Sequence, residues 1–248
     1  MSVKQRTLKS EFSLSGKGLH TGKMVTATFK PAEENFGYKI HRVDLEGAPE
    51  IPALAEYIKL MDRASCLEKD GICVFTMEHA MAALYGCGID NCLIELNGEE
   101  FPILDGSSKY FVEAIEKTGI EEQSAERKYF VVKEQMEYCS EDGQTKLTLL
   151  PDTDYNVNLV VAYDSPYLQM QYAAYSDKTT DFAKEIAPCR TFVFLRELEM
   201  LLKHNLIKGG DLDNAIVIVD REISQSEVDH LAKLFNHDSI EVKQGVLN

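Results

Sequence analysis

The spacing of apolar residues predicts four amphipathic helices. In each of four segments, apolar or weakly polar residues recur every three or four positions, which puts them on one face of a helix. The series are Met77, Ala80, Met81 and Leu84; Phe111, Ala114, Ile115 and Thr118; Phe192, Leu195, Leu198 and Leu202; and Val228, Leu231, Leu234 and Phe235. Each helix therefore has an apolar face that another layer of structure must cover.

Other segments have the composition of β-strands, because they are rich in β-branched or aromatic residues and are bounded by turn signals such as Asp142-Gly143. The predicted strands lie at residues 24–30, 92–96, 129–134, 146–150, 156–163 and 215–219. Strands and helices occur in blocks rather than in strict alternation. This order favours the α+β class, with mostly antiparallel sheets packed on helices.

One segment is repeated. Residues 86–96 (GCGIDNCLIEL) align with residues 209–219 (GGDLDNAIVIV), and Asp90 and Asp213 lie 123 positions apart in a chain of 248 residues. In both copies we expect a helix that ends at the glycine, an Asp-Asn turn and an apolar strand. The repeat predicts two duplicated modules, residues 1–124 and 125–248, with the polar segment 121–128 at their boundary and an active site in the cleft between them. The alternative is that this helix–turn–strand pattern is a common local solution.

The charge balance excludes several functions. The chain has 26 basic and 41 acidic residues and a net charge of −15, which argues against non-specific binding to nucleic acids or anionic membranes. Hydrophobic residues make up 44% of the chain, as in a folded domain. No apolar run approaches the length of a transmembrane helix and no signal peptide is recognisable, so we expect a cytoplasmic protein.

Two short motifs contain residues that could take part in catalysis. Glu78-His79 begins a predicted helix, where the pair is either a solvated acid beside a half-buried imidazole, or a metal ligand and a group that reaches a bound water. Thr191 lies at the predicted start of the third helix, where its hydroxyl is either a cap or, with the helix amides, an oxyanion stabiliser. The glycines of residues 16–23 fit a tight hairpin better than a phosphate loop. His41, His204, His230 and His237 lack metal-ligand spacing, and we interpret them as surface residues.

Six segments, taken in order, resemble one known family. QRTLK, GKGLHTGKMV, TMEHAMAALYGCGIDN, FPILDGSSKYFV, CRTFVF and KGGDLDNAIV are similar to the zinc-dependent UDP-3-O-acyl-N-acetylglucosamine deacetylases of lipid A synthesis. The resemblance implies hydrolysis of the N-acetyl amide of this UDP-sugar to the free amine and acetate. It implies Zn²⁺ bound by His79, Glu78 as general base and Thr191 as oxyanion stabiliser. The implied substrate-binding residues are Leu19, Tyr163, Phe192, Phe194, Lys208, Gly210 and Ala215.

The resemblance also implies residues that the chain does not contain. The family carries two further zinc ligands, a His and an Asp, on a pattern HKxLDxxGDL that does not occur in residues 1–248. We therefore expect an incomplete chain, with its second module incomplete and exposing apolar surface. The alternative is a zinc-poor, non-catalytic binding form. Lys23 and Lys208 are the candidate cations for the diphosphate. Some members carry a fused hydroxyacyl-carrier-protein dehydratase, so a fused or associated dehydratase is a candidate partner.

Overall fold

The fold is of the α+β class with mostly antiparallel sheets, as predicted. It is seen in a computed structural model that describes residues 3–61, 64–163, 165, 168–204, 206–235, 237–243 and 245–247. None of the helices in these residues has the length and apolar character needed to cross a membrane.

The first half of the chain is built around a five-stranded sheet. Its elements are β1 (Lys4–Leu8), β2 (Phe12–Lys17), β3 (Met24–Pro31), β4 (Tyr38–Arg42), β5 (Glu50–Pro52), β6 (Ile58–Met61), β7 (Ala64–Lys69), β8 (Ile72–Phe75), α1 (Glu78–Gly86), β9 (Cys92–Leu96), α2 (Lys109–Thr118) and β10 (Ile120–Glu126). The central sheet has the order β2-β3-β9-β4-β5, in which β4 and β9 are parallel and the other neighbours antiparallel. Strands β6 to β8 form a separate meander, and β1 pairs with β10.

The second half has two hairpins and a smaller sheet. Its elements are β11 (Met136–Cys139), β12 (Lys146–Leu149), β13 (Asn156–Val161), β14 (Gln171–Ser176), a turn of π-helix (Phe182–Ile186), β15 (Phe192–Phe194), α3 (Leu195–Lys203), β16 (Ile216–Ile218), α4 (Gln225–Leu234), β17 (Val242–Lys243) and β18 (Val246–Leu247). The sheet has the order β15-β16-β18-β17, while β11-β12 and β13-β14 pair as isolated hairpins.

Buried apolar residues form two clusters. In the larger one Phe29 is 1% exposed, and its ring lies 4.8, 6.5 and 5.9 Å from the rings of Phe12, Phe101 and Phe111. The second cluster gathers residues of α3, α4 and the small sheet, including Leu195, Leu198, Val217, Leu231 and Leu247. Apart from Ala187, the larger cluster is drawn from the first half of the chain.

The hairpins β11-β12 and β13-β14 leave apolar side chains in contact with solvent. Leu147 and Leu159 are 55% and 53% exposed, and Met136 and Tyr172 are exposed as well. These residues lie on hairpins and not on the sheet face that a missing helix would cover, so the expected patch on the second module stays a prediction. Arrays of backbone hydrogen bonds hold the two strands of each hairpin together.

Two sequence predictions are wrong in detail. The third helix does not begin at Thr191 or Phe192, because Phe192–Phe194 form β15, which pairs in parallel with Ile216–Ile218, and α3 begins at Leu195. Residues 129–134 form no strand; they are irregular and mostly exposed. The polar segment 121–128 is a strand as far as Glu126, because its backbone pairs with β1, and the module boundary placed there stays a prediction.

The repeated segment is similar in its strand and different in its helix. Strands β9 and β16 each have one parallel and one antiparallel neighbour. Helix α1 ends at Gly86 as predicted, but α3 ends at Lys203, well before Gly209. The prediction that both copies have a helix ending at the glycine is therefore wrong for the second, and the duplication itself stays a prediction.

Candidate active site between the two halves

The N-terminus of α1 carries Glu78 and His79 in its first turn. The preceding Thr76 is buried, with φ of 56°. Its hydroxyl donates to Glu100 Oε1 at 3.0 Å, and no side-chain hydrogen bond from the described residues caps the helix. The side chain of Glu78 is exposed at the end of the helix, while His79 is half-buried beside it.

The environment of His79 favours a neutral imidazole. Burial lowers its pKa, against the opposing influence of the Glu78 and Asp105 carboxylates. The neutral ring is the form that binds a metal ion. The hydroxyl of Ser108 donates to the backbone carbonyl of His79 at 2.9 Å and so ties this turn to the loop at residues 105–108.

The loop at residues 105–108 joins the two halves of the chain; we call its contacts with residues 187–191 and 212–215 the seam. The Thr191 amide donates to the Gly106 carbonyl at 2.7 Å, and the Ser108 amide donates to the Ala187 carbonyl at 3.0 Å. Gly106 has φ of 79°, and a Cβ at this position would collide with the backbone carbonyl of Asn214. Glycine is required here both for its conformation and for the close approach of the two backbone segments.

Arg190 links the backbone segments of the seam by hydrogen bonds, a contact that the sequence did not predict. Its Nε donates to the Asp105 carbonyl at 3.0 Å, and its Nη2 donates to the carbonyls of Leu212 and Ala215 at 2.8 and 3.2 Å. A guanidinium has several donors in a rigid plane, which suits it to bridge separate backbone segments. Because all three acceptors are backbone atoms distant in sequence, no local pattern reveals this contact.

An apolar cavity of about 230 Å³ opens beside the seam. Five of the predicted site residues line it, namely Leu19, Thr191, Phe192, Gly210 and Ala215. The remaining wall includes Leu198, Leu201, Val217 and Phe235. Within the described residues the Thr191 hydroxyl has no hydrogen-bond partner, so it can donate to a ligand. A lining of this kind suits an apolar ligand with a polar group near the Thr191 hydroxyl.

Three predicted aromatic residues lie together at the edge of this cavity. The ring of Tyr163 lies 5.8 Å from that of Phe192 and 5.5 Å from that of Phe194, and the two Phe rings are 5.7 Å apart. All three pairs meet edge to face, a favourable geometry for aromatic rings. Phe192 is part of the cavity wall, whereas Phe194 is buried beneath it and is not among the lining residues.

The two candidate cations differ in their surroundings. Lys23 Nζ lies 2.9 Å from Glu99 Oε1, in a pair exposed to solvent. Lys208 is exposed, and no carboxylate among the described residues pairs with it. Its backbone amide donates to the His20 carbonyl at 3.4 Å, which brings the segment at residues 206–210 against the β2-β3 hairpin. Lys208 is therefore the cation that remains available to an anionic ligand.

Among the described residues, one cluster of side chains has ligand atoms placed to bind a metal ion, and His79 is not part of it. Potential ligand atoms of Asp211, Asp213 and His237 all lie within 4.8 Å of one another. His237 Nε2 is 3.2 Å from Asp211 Oδ1, so this histidine, which we interpreted as a surface residue, pairs with an acid that lines the cavity. At His79 the described residues contribute one ligand rather than the three that a catalytic zinc site uses.

Comparisons with known proteins agree with the predicted family. Residues 5–237 match the family model described as LpxC, UDP-3-O-acyl N-acetylglycosamine deacetylase. The chain belongs to this family of deacetylases.

Its relatives include fused and single enzymes. The chain is 50% identical over 247 residues to the bifunctional enzyme LpxC/FabZ of Bacteroides thetaiotaomicron, with 99% of this chain and 53% of the relative covered. The corresponding enzyme of Porphyromonas gingivalis is 48% identical, with the same coverage. The UDP-3-O-acyl-N-acetylglucosamine deacetylase of Geobacter sp. is 40% identical over 223 residues, covering 90% of this chain and 72% of the relative. The chain thus spans about half the length of the bifunctional relatives.

Proposed function

We propose that the protein to which this chain belongs hydrolyses the N-acetyl amide of UDP-3-O-acyl-N-acetylglucosamine to UDP-3-O-acyl-glucosamine and acetate, an early step of lipid A synthesis. The observation that carries the proposal is the seam. It ties the turn bearing Glu78 and His79, through the loop at residues 105–108, to Thr191 in the wall of the apolar cavity. Acid–base residues, a hydroxyl donor and an apolar cavity thus lie in one hydrogen-bonded unit.

Two side chains have roles in the proposed reaction. Glu78 is exposed at the start of α1 and would take the proton of the attacking water as general base. The hydroxyl of Thr191 would donate to the oxyanion that develops on the acetamide. This role does not depend on a helix N-terminus, because Thr191 precedes a strand. The Thr191 hydroxyl would therefore act without the helix amides that the sequence suggested.

Zinc is the proposed cofactor, and His79 is its proposed ligand. A neutral imidazole on a fixed helical turn has the chemistry of a zinc ligand. When bound, zinc polarises a carbonyl group and acidifies a water molecule. Since the described residues supply one ligand here, we infer that the others belong to the additional length that the relatives possess.

The remaining predicted residues would bind the substrate. The acyl chain would enter the apolar cavity lined by Leu19, Phe192, Gly210 and Ala215. Tyr163, supported by Phe192 and Phe194, would contact the nucleotide, and Lys208 would meet the diphosphate. The enzyme would work in the cytoplasm, as we predict from the sequence.

A fused dehydratase is the proposed partner. Two relatives that match nearly all of this chain are named as bifunctional LpxC/FabZ enzymes and are about twice as long. We propose that this chain is the deacetylase part of a similar fusion, with a hydroxyacyl-carrier-protein dehydratase as its second activity.

Metal content tests the assignment of His79. In the full-length protein, His79→Ala should lower the zinc content to below about a tenth of that of the parent, since a lost ligand removes much of the metal affinity. His237→Ala is the matched control, because it removes a histidine from the other potential metal group. Elemental analysis with equal loss in both variants, or loss in His237→Ala alone, would contradict the assignment.

Turnover tests the role of Glu78. Glu78→Ala should keep its zinc and lower the rate of acetate release by at least about 10²-fold, the lower range for a lost general base. Equal metal loss in Glu78→Ala and His79→Ala would instead identify Glu78 as a ligand.

The alternative is a zinc-poor form that binds the substrate without hydrolysing it. The single ligand at His79 among the described residues favours it. Full-length protein that lacks zinc, releases no acetate and still binds the UDP-sugar would support this alternative, whereas stoichiometric zinc with turnover sensitive to a chelator would exclude it.

A further inference from the structure

Glu100 is a buried carboxylate that the proposed reaction does not use. It is 2% exposed, and no cation among the described residues pairs with it. Acidic side chains are rarely buried to this extent unless their oxygens are fully satisfied. Its position is fixed by the chain around it, since the amide of Phe101 donates to the Phe75 carbonyl and the amide of Phe75 donates to the Glu99 carbonyl.

Four donors from two separate elements converge on this carboxylate. Oε1 accepts from the His20 amide at 2.9 Å and from the Thr76 hydroxyl at 3.0 Å. Oε2 accepts from the Thr21 amide at 2.9 Å and from the Thr21 hydroxyl at 2.7 Å. Three of these donors belong to the turn of the β2-β3 hairpin (residues 18–23, the hairpin tip), and the fourth directly precedes α1.

The hairpin tip forms part of the cavity and reaches the second half of the chain. Leu19 and His20 line the cavity. The Leu19 carbonyl accepts from the Gly209 amide at 3.0 Å, and His20 Nδ1 lies 3.0 Å from the Leu206 carbonyl. A change in the position of the hairpin tip therefore alters both the cavity wall and the segment at residues 206–210.

Thr76 links the same carboxylate to the turn with Glu78 and His79. Its left-handed backbone conformation is unusual for a β-branched residue and needs support from its surroundings. That support comes from the Glu100 carboxylate and from the Ser65 carbonyl, which accepts from the Thr76 amide at 3.1 Å. Glu100 thus fixes the start of α1 as well as the hairpin tip.

We propose that Glu100 is a positioning residue: its buried carboxylate sets the hairpin tip, and with it one wall of the apolar cavity, relative to the start of α1. An unprotonated carboxylate is suited to this role because each of its oxygens accepts two hydrogen bonds. An amide in its place would direct N–H groups at N–H donors. The catalytic role of α1 rests on the proposed function. The coupling between the hairpin tip and the cavity is independent of that function.

The test compares Glu100→Gln with Glu99→Gln, the same substitution at the neighbouring, partly exposed carboxylate. The probe is the fluorescent fatty acid dansylundecanoic acid, which should occupy the apolar cavity. Removing a buried acceptor should raise the probe's Kd about tenfold in Glu100→Gln and leave it within about twofold in Glu99→Gln. Hydrogen exchange of the His20 and Thr21 amides should accelerate in Glu100→Gln alone.

Two further comparisons separate positioning from a general loss of stability. Ile115→Ala removes a buried side chain of α2 from the larger apolar cluster, outside the cavity wall, and should lower the unfolding midpoint without weakening probe binding. Thr21→Val deletes one donor to Glu100 while keeping the shape of the side chain, and Thr21→Ser keeps the hydroxyl. We expect probe binding about threefold weaker in Thr21→Val and unchanged in Thr21→Ser. This pair keeps the proposal testable even if Glu100→Gln fails to fold.

Three results would overturn the proposal. These are an unchanged probe Kd in Glu100→Gln, equal weakening in Ile115→Ala, or equal behaviour of Thr21→Val and Thr21→Ser. None of these measurements involves deacetylation. If the protein shows no turnover but probe binding follows the predicted order, the positioning role is supported while the proposed function fails.

Discussion

The two halves of the chain differ in how deeply their apolar side chains are buried. In the first half a five-stranded sheet and two helices enclose Phe29, which is 1% exposed, whereas Phe130 in the second half is 88% exposed. The hairpins β11-β12 and β13-β14 likewise leave their apolar residues in solvent. Because buried apolar area is the main source of folding stability, most of the stability of the chain should come from the first half.

The candidate site takes a different contribution from each half. The first half supplies the parts that a rigid core holds in place, which are the turn of Glu78 and His79, the Glu100 carboxylate and the loop at residues 105–108. The second half supplies most of the cavity wall. Beyond the seam, a row of aromatic rings continues the contact, with centroid distances of 5.6 Å for Tyr85–Tyr155 and 6.1 Å for Tyr155–Tyr175. The first half thus contributes the hydrogen-bonded turn, carboxylate and loop, and the second half contributes most of the apolar wall.

The sharpest test of this comparison is the same substitution in both halves. Phe29→Ala should lower the free energy of unfolding by about 3–5 kcal/mol, because it leaves a cavity among packed rings. Phe130→Ala should change it by no more than about 0.5 kcal/mol, as is usual for exposed sites. Urea denaturation followed by circular dichroism measures both. A large loss in Phe130→Ala would mean that this side chain is covered in solution, and the contrast between the halves would disappear.

The seam should be the next most sensitive region. Gly106→Ala forces a Cβ into the Asn214 carbonyl as well as a side chain into a left-handed conformation, and should cost about 3 kcal/mol of stability. Gly37→Ala is the control, because Gly37 has φ of 71° but open space around it, and should cost roughly 1 kcal/mol for the conformation alone.

Binding of dansylundecanoic acid should weaken in Gly106→Ala and not in Gly37→Ala. If the two variants lose the same stability and both bind the probe normally, the loop at residues 105–108 does not hold the halves together.

The smallest expected effect concerns the capping box of α4. Hydrogen bonds from the Ser224 amide and hydroxyl, helped by Arg221, lower the pKa of Glu227 to about 2. Because this pKa is lower in the folded than in the unfolded chain, the contribution of Glu227 to stability is full above the ordinary value of 4.5 and is lost as the pH falls toward 2. Ser224→Ala should therefore raise the pKa of Glu227 toward 4.5 in a carboxyl NMR titration.

Ser140→Ala, on the β11-β12 hairpin, should leave the titration of Glu227 unchanged. An unaltered pKa in Ser224→Ala would show that the Ser224 hydroxyl does not bond to the Glu227 carboxylate in solution.

The sequence by itself determined the features that depend on neighbours in the chain. Helical periodicity placed α1, α2 and α4 within a few residues, because the side chains that define a helical face are three or four positions apart. Strands β3, β9 and β12 followed from their β-branched and apolar composition, and the order of short motifs was enough to predict the family.

Tertiary structure decided what depends on distant partners. Phe192–Phe194 continue a helical pattern in sequence, yet pairing with Ile216–Ile218 makes them a strand. Glu100 meets His20 across 80 positions of the chain, and Arg190 meets Asp105 across 85. Backbone carbonyls and amides are the same at every residue, so the sequence carries no signal of which of them a buried side chain will meet. The parts of the site that hold its two halves together therefore became visible only when the folded chain brought these groups within hydrogen-bonding distance.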